Sequence, residues 1–227
     1  VIYVGTGDRN ITGFPSIGDG LYRSTDAGQT WNYLGLKDTR IISRIAVDPN
    51  DVNRIYVATM GLPVARTNDR GLYRSTDGGV TWTNILFLAD AAGIIDLVMD
   101  PVNTQTLYAT GWDRLRTSQQ SIFSCPNAGI YKSTDGGDNW TKLSGGLPGA
   151  GYTGSRVSIS IDANDNNRLV ACYVGSNFQA EAIYETTDAG ATWSTIPIFN
   201  LDPNALGGFG WYFGNIFINP FASNEIY

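Results

Sequence analysis

The chain has 227 residues, with 21 Asp and Glu against 15 Lys and Arg, a formal charge of −6 and no histidine. That balance removes histidine catalysis and imidazole metal ligation, and it argues against nucleic acid or an anionic membrane as partner, since counterion release needs clustered Lys and Arg. An apolar content of 42% with 12% aromatic residues supplies ample material for a packed core, while the longest apolar runs, such as Ile94 to Met99 with Asp96 inside, are far too short to cross a bilayer. The chain opens at Val1 with neither an initiator Met nor a charged leader, so any targeting segment is expected outside it.

In chain order, Val1–Val4 predicts a strand, Gly5–Asp19 a loop, and Gly20-Leu-Tyr-Arg23 a second strand running into a turn at 24–31. The next period is the clearest: strand 1 at Ile41–Val47, an Asp48-Pro49 turn, strand 2 at Arg54–Thr59, a loop over Met60–Arg70, strand 3 at Gly71–Ser75 and strand 4 at Thr81–Leu86. Leu88–Ile95 has helical composition, but it aligns with Lys37–Ile42, so the repeat register predicts a loop entering a strand. Strand 1–turn–strand 2 units recur at Leu97–Ala109, Ile159–Ala171 and Ile216–Tyr227. Between them run long or variable connections, Gly111–Ala128, Leu143–Gly154, Gly175–Ala180 and Pro197–Gly210.

Four segments share one pattern: Ser24-Thr-Asp-Ala-Gly-Gln-Thr-Trp31, Ser75-Thr-Asp-Gly-Gly-Val-Thr-Trp82, Ser133-Thr-Asp-Gly-Gly-Asp-Asn-Trp140 and Thr186-Thr-Asp-Ala-Gly-Ala-Thr-Trp193. Their aspartates Asp26, Asp77, Asp135 and Asp188 lie 51, 58 and 53 residues apart. Four short strands per period predict β-propeller blades. A short Asp side chain can accept backbone N–H bonds across a tight turn, Ser or Thr adds another, Gly permits a positive φ, and the ring of Trp31, Trp82, Trp140 or Trp193 clamps the hairpin. These aspartates sit on separate periods, so no metal site is expected of them, and no cofactor is expected either. Asp48, Asp100, Asp162 and Asn219 read as turn formers.

The boxes resemble the Asp-box, or BNR repeat, of sialidase-like, sortilin-like and xyloglucanase-like β-propellers. The resemblance spans the whole chain, with Asn139 replacing Thr in the third copy. It implies an all-β fold of four-stranded antiparallel blades, with Asp-box turns between strands 3 and 4. Residues 1–227 then form a single propeller region of about four blades. The chain begins and ends at one phase of the repeat, so a longer parent is expected to supply further blades.

If the box turns and the Asp-Pro turns share one face, the other face carries the variable loops, where recognition is expected. The candidate ligand-binding residues there are Asp8, Arg9, Arg66, Asp69, Trp112, Asp113, Arg114 and Tyr152, with Trp112 and Trp211 the two tryptophans outside the boxes. Strand-1 register adds Arg44, Asp96, Ser158 and Asn215, a polar position expected to face the channel, with Arg44 and Asp96 candidates for the same surface. The favoured function is a glycan- or protein-binding module, secreted or at a bacterial cell surface by composition and resemblance, whose partner is a glycan or an extracellular protein. The resemblance also allows a glycoside hydrolase with a carboxylate pair drawn from Asp8, Asp69, Asp96, Asp113 and Glu181, although no spacing singles out a pair. The Arg-Ile-Pro motif of the sialidase relatives is absent, and Asp69-Arg-Gly71 and Gly18-Asp-Gly20 depart from the Asp-Val-Gly-Gly stretch of the xyloglucanase relatives. An assembly factor resembling the photosystem II stability propellers rests on the same boxes. Pairing of Cys125 with Cys172 stays open, as do glycosylation patterns at Asn10-Ile-Thr12 and Asn139-Trp-Thr141.

Overall fold

Short runs of alternating apolar and polar residues, each closed by a turn signal, become antiparallel meanders. The structure, a computed structural model, describes residues 1–12, 15–123, 126–149, 151–197 and 206–227. It divides into two compact units, Val1–Ile95 with Arg114–Ile122, and Asp96–Asp113 with Phe123–Tyr227. In the first, β1 (Ile2–Gly5), β2 (Leu21–Ser24) and β3 (Asn32–Tyr33) form a three-stranded sheet. Next, β4 (Ile42–Asp48), β5 (Asp51–Thr59), β6 (Gly71–Ser75) and β7 (Thr83–Leu86) form a complete four-stranded blade. Strand β8 (Ala92–Met99) passes from the first unit into the second and orders with β9 (Leu107–Asp113), β12 (Gly129–Ser133) and β13 (Thr141–Lys142). A small hairpin of β10 (Leu115–Arg116) and β11 (Ser121–Ile122) belongs to the first unit. The second unit continues with β14 (Val157–Ile161), β15 (Leu169–Val174), β16 (Ala180–Thr186) and β17 (Ser194–Ile196), then the pair β18 (Ile218–Asn219) and β19 (Ala222–Ile226).

Three blades are therefore complete, flanked by a three-stranded sheet equivalent to strands 2 to 4 and a pair equivalent to strands 1 and 2. Helix is confined, among the described residues, to a 3₁₀ turn at Lys37–Thr39 and a four-residue helix α1 (Gly210–Phe213). At Leu88–Ile95 the register prevails over composition: the Ala92 N–H donates to the Ala89 carbonyl at 3.1 Å in a turn that enters β8.

Strand alternation puts Val170, Cys172 and Val174 on one buried face of β15, packed with Ile216 and Ile218. In the first unit Leu21, Ile42, Ile55 and Val57 are packed against Tyr3, Leu34 and the Trp82 ring. The expected strand-1 anchors Leu97, Ile159 and Ile216 are buried, whereas Ile45 is only partly so. Burial pushes the Cys172 thiol up to about 11; Cys125 lies outside the described residues.

All four boxes use their carboxylate alike. Asp26 accepts the Thr30 N–H at 2.9 Å and the Thr30 hydroxyl at 2.6 Å, while the Ser24 hydroxyl donates to Asp26 at 2.8 Å and its oxygen accepts the Gly28 N–H at 2.7 Å. Asp77, Asp135 and Asp188 repeat the scheme, and in the third box the Asn139 amide replaces the Thr hydroxyl at 2.7 Å. The indole N–H of Trp31, Trp140 and Trp193 closes its own turn on a glycine carbonyl, but that of Trp82 donates to Leu34 of the preceding sheet at 2.8 Å. The clamping ring is not uniformly buried: Trp193 is 6% exposed, Trp31 42%.

The basic residue that follows the repeated Tyr also acquires a duty. Arg23 donates to the Gly78 carbonyl at 3.3 Å, and Lys132 to the Ala189 carbonyl at 2.7 Å. In each case a strand-3 cation grips the box turn of the following blade. The Asp-Pro turns behave as expected, since Asp48, Asp100, Asp162 and Asn219 each accept an N–H two residues on.

Two outcomes follow. Ala27 and Ala189 hold φ of +60° and +55° where the other boxes have Gly78 and Gly136. An L residue there costs about 1–2 kcal/mol and glycine loses about 0.5–1 kcal/mol of chain entropy, so Ala27→Gly and Ala189→Gly should each stabilise by about 0.5–1 kcal/mol in denaturant titrations, whereas Ile159→Ala should destabilise by about 2–5 kcal/mol. Hydrogen bonds from Thr or Asn, then from the backbone and Ser or Thr, hold the Asp26 and Asp135 carboxyls at about 2 against an ordinary 3.8. A depressed folded-state value gives stability that is present above pH 3.8 and lost as pH falls through about 2, which acid unfolding followed by circular dichroism should show.

Candidate functional site

The loop leaving β1 turns on Asp8, whose carboxylate accepts the N–H groups of Asn10 at 3.1 Å and Thr12 at 2.9 Å. That turn sets Arg9 beside the start of β4. There Gly5, Gly7, Arg9, Ile42, Ser43, Arg44 and Ile45 wall an open pocket of about 300 Å³. Side chains at Gly5 and Gly7 would collide with Ile42 and with the backbone at Arg40, so glycine is what lets β1 and β4 approach and shape the cavity. Ser43 donates its hydroxyl to the Ile94 carbonyl at 2.5 Å, and Arg9 and Arg44 are the charged residues of the wall. Among the described residues, no carboxylate lines it. Two of the sequence candidates, Arg9 and Arg44, are thus brought together.

Most other candidates have structural duties. Trp112, expected as an exposed stacking ring, is 0% exposed and donates its indole N–H to the Phe123 carbonyl at 3.3 Å. Asp113 is buried and accepts both the backbone and side-chain N–H groups of Asn127. Arg114, also expected at a ligand surface, is 0% exposed and donates to the carbonyls of Ile11 and Ile122 and to the Ser121 hydroxyl, each at 3.2 Å. These three cannot touch a ligand in this conformation. A buried guanidinium has five donors to satisfy, and a loop without regular structure offers carbonyls without partners, so each meets the other's need.

Register signals alone did not reveal two further arginines of this kind. Arg70 is fully buried and donates to the carbonyls of Met60, Leu62 and Ala65, and Arg156 to the Tyr212 carbonyl at 3.1 Å and Asn215 Oδ1 at 2.8 Å. The polar strand-1 position likewise differs from expectation in the second unit. Asp96 and Ser158 are 0% exposed rather than channel-lining. Asp96 accepts the Ser158 hydroxyl at 3.0 Å and the Ile159 N–H at 3.3 Å, and Ser158 Oγ accepts the Ile216 N–H at 3.1 Å, so side chains stitch successive strand 1 elements. Asp96→Ala should therefore cost roughly 1–3 kcal/mol of stability, the usual penalty for orphaning buried donors, in chemical denaturation; a change within about 0.5 kcal/mol, ordinary for surface positions, contradicts this role.

Arg66 is exposed and pairs with Asp90 at 2.7 Å, and Asp69 is half-buried. Tyr152 is half-buried too, donating its hydroxyl to the Val174 carbonyl at 2.6 Å with its ring edge-on to Tyr173. The second non-box tryptophan fares differently from the first. Trp211, on α1, belongs to an aromatic group with Phe123, Phe178 and Phe209 at centroid distances of 5.1–6.5 Å. Phe209 and Phe213 are more than half exposed.

Comparison with known proteins accords with this architecture. The chain is 28% identical over 197 residues to xyloglucanase Xgh74A of Acetivibrio thermocellus, covering 72% of this chain and 21% of that protein. It is 29% identical over 210 residues to a xyloglucanase of Hypocrea jecorina, covering 78% and 23%. It thus spans less than a quarter of their length. Among solved structures, a GH74 enzyme of Niastella koreensis superposes with a TM-score of 0.65 at 24% identity, over 91% of this chain and 31% of that one, a likeness of fold. The family model described as sortilin, neurotensin receptor 3, matches residues 19–147, a span that takes in three of the four boxes and the cation grip at Arg23. By that match the chain belongs to the Sortilin-Vps10 family of Asp-box propellers.

Proposed function

We propose that this chain is a glycan-binding part of a larger, extracellular Asp-box propeller of xyloglucanase-like kind, whose other blades come from the rest of the parent protein. The observation that carries this reading is the pocket between β1 and β4, where Arg9 and Arg44 converge on a cavity at the small end of the range for ligand sites. Guanidinium donors suit the hydroxyl and ring oxygens of a sugar, and the surrounding Ile42 and Ile45 suit its C–H faces. The exposed rings around Trp211 offer a second surface of compatible chemistry.

Hydrolysis has one observation in its favour, the 28–29% identity to xyloglucanases. It needs two carboxylates held across one sugar. Asp96 and Asp113 are buried in structural bonds, and the pocket wall has no carboxylate among the described residues, so binding without cleavage is the better supported function.

Incubating the parent protein with xyloglucan, β-glucan and sialoside oligosaccharides, while measuring both retention and released sugar, separates the two. The expected result is retention without release, weakened about tenfold or more, or 1.4 kcal/mol, by the Arg9→Met, Arg44→Met double variant. Release abolished by Asp69→Asn would establish an enzyme instead, and neither retention nor release would sink the glycan assignment.

A further inference from the structure

The repeat shows where one blade breaks its own pattern. Each box is preceded by a strand-3 tyrosine, and across the sheet that tyrosine faces Asn84, Lys142 or Thr195 in three repeats. In the first repeat alone it faces another tyrosine: Tyr22 on β2 is paired with Tyr33 on β3. The two rings lie 5.3 Å apart at 51°, an open V rather than a stack, and Tyr33 is 50% exposed. The position immediately before the strand-3 stretch varies from repeat to repeat, and here it is Asp19, where the others have Arg70, Ala128 and Glu181.

Asp19 is exposed but held. Its N–H donates to Thr6 Oγ1 at 2.9 Å, and its carboxylate accepts the Tyr22 hydroxyl at 2.9 Å and faces the Thr6 hydroxyl at 3.4 Å. Gly20 lies so close beneath Tyr33 that an added Cβ would sit 3.0 Å from the ring, which fixes one wall of the V against backbone. These features give two preset aromatic faces beside an acceptor of known direction. Neither the box turn nor the core explains them, because the other three repeats fold without them.

We infer that Asp19, Tyr22 and Tyr33 form a saccharide-stacking site for a neutral pyranose, with ring C–H groups against the tyrosine faces and sugar hydroxyls donating to Asp19. A neutral ligand is favoured because Asp19 opposes an anionic sugar and the overall charge of −6 reinforces that opposition. Thr6, which positions Asp19, is flanked in the chain by Gly5 and Gly7 of the pocket wall but does not itself line the pocket, so the two sites are distinct. The inference rests on the glycan reading only for its ligand class.

The test follows the ring resonances of the two tyrosines by NMR as cellohexaose is added to the intact chain. Both tyrosine ring signals are expected to shift, with affinity reduced about tenfold, or 1.4 kcal/mol, by Tyr33→Ala and retained by Tyr33→Phe. The Arg9→Met, Arg44→Met variant should leave these shifts in place even if it abolishes binding at the pocket, which separates failure of one site from failure of the other. Unmoved ring signals in the unsubstituted chain, equal affinity in Tyr33→Ala, or shifts produced by a lysine-rich peptide and not by the sugar would each overturn the site.

Discussion

Everything in this chain hangs on how a hairpin turn without helical or sheet bonding satisfies its backbone. Each box turns the chain tightly, and a single carboxylate accepts the backbone N–H four residues on, a donor the turn itself leaves without a backbone partner. The serine or threonine two residues earlier acts in both directions, donating to the carboxylate and accepting a glycine N–H. With the turn closed, the next constraint is its seat. Box backbones dock on the start of strand 2 or the turn before it in their own blade, as Gly78 does on Asn53 and Ala189 on Asn167, and in these two boxes a cation from the preceding blade, Arg23 or Lys132, grips the turn carbonyl. The Gly-aliphatic-Tyr-basic pattern and the box are thus two halves of one joint.

Such joints leave the opposite loops free to vary, but not free to move at will. Arg70, Arg114 and Arg156 fill the loop interiors with guanidinium groups bonded to carbonyls. An apolar filling would have left those carbonyls unpaired, at a penalty comparable to a lost hydrogen bond each. The resulting loops are polar yet fixed, which is what a recognition surface requires if binding is not to be spent on ordering it. The pocket at Arg9 and Arg44 lies where two strands approach through Gly5 and Gly7.

The repeats made the fold legible, because a pattern that recurs four times overrides local composition, as at Leu88–Ile95. Blade architecture, box chemistry and the Asp-Pro turns could all be read from Asp26, Asp48 and their equivalents. The site was much less so. Exposure does not follow from position in a segment that reads as a variable loop: Trp112 falls at the end of β9 and Arg114 just after it, and both are buried, whereas Trp211 on α1 remains in a partly exposed group. Asp96 looked like a channel residue because only its register was visible; its partner Ser158 is 62 residues away, a distance that no local pattern spans. Arg9 reads in the sequence as a loop cation and Arg44 as a strand-1 register position; that both line one pocket needs three dimensions. The Tyr22–Tyr33 pair is hidden in the repeat pattern because one half of it, Tyr22, is common to every repeat.

Site-resolved carbon NMR titration of the side-chain carboxyls tests most directly whether the box aspartates are bound by their turns. Asp26, Asp135 and Asp188 are expected to titrate at about 2 in the folded chain, well below the ordinary 3.8. Titration of all three near 3.8 while the chain remains folded would contradict it, since carboxylates accepting several hydrogen bonds cannot take up a proton as readily as those in water.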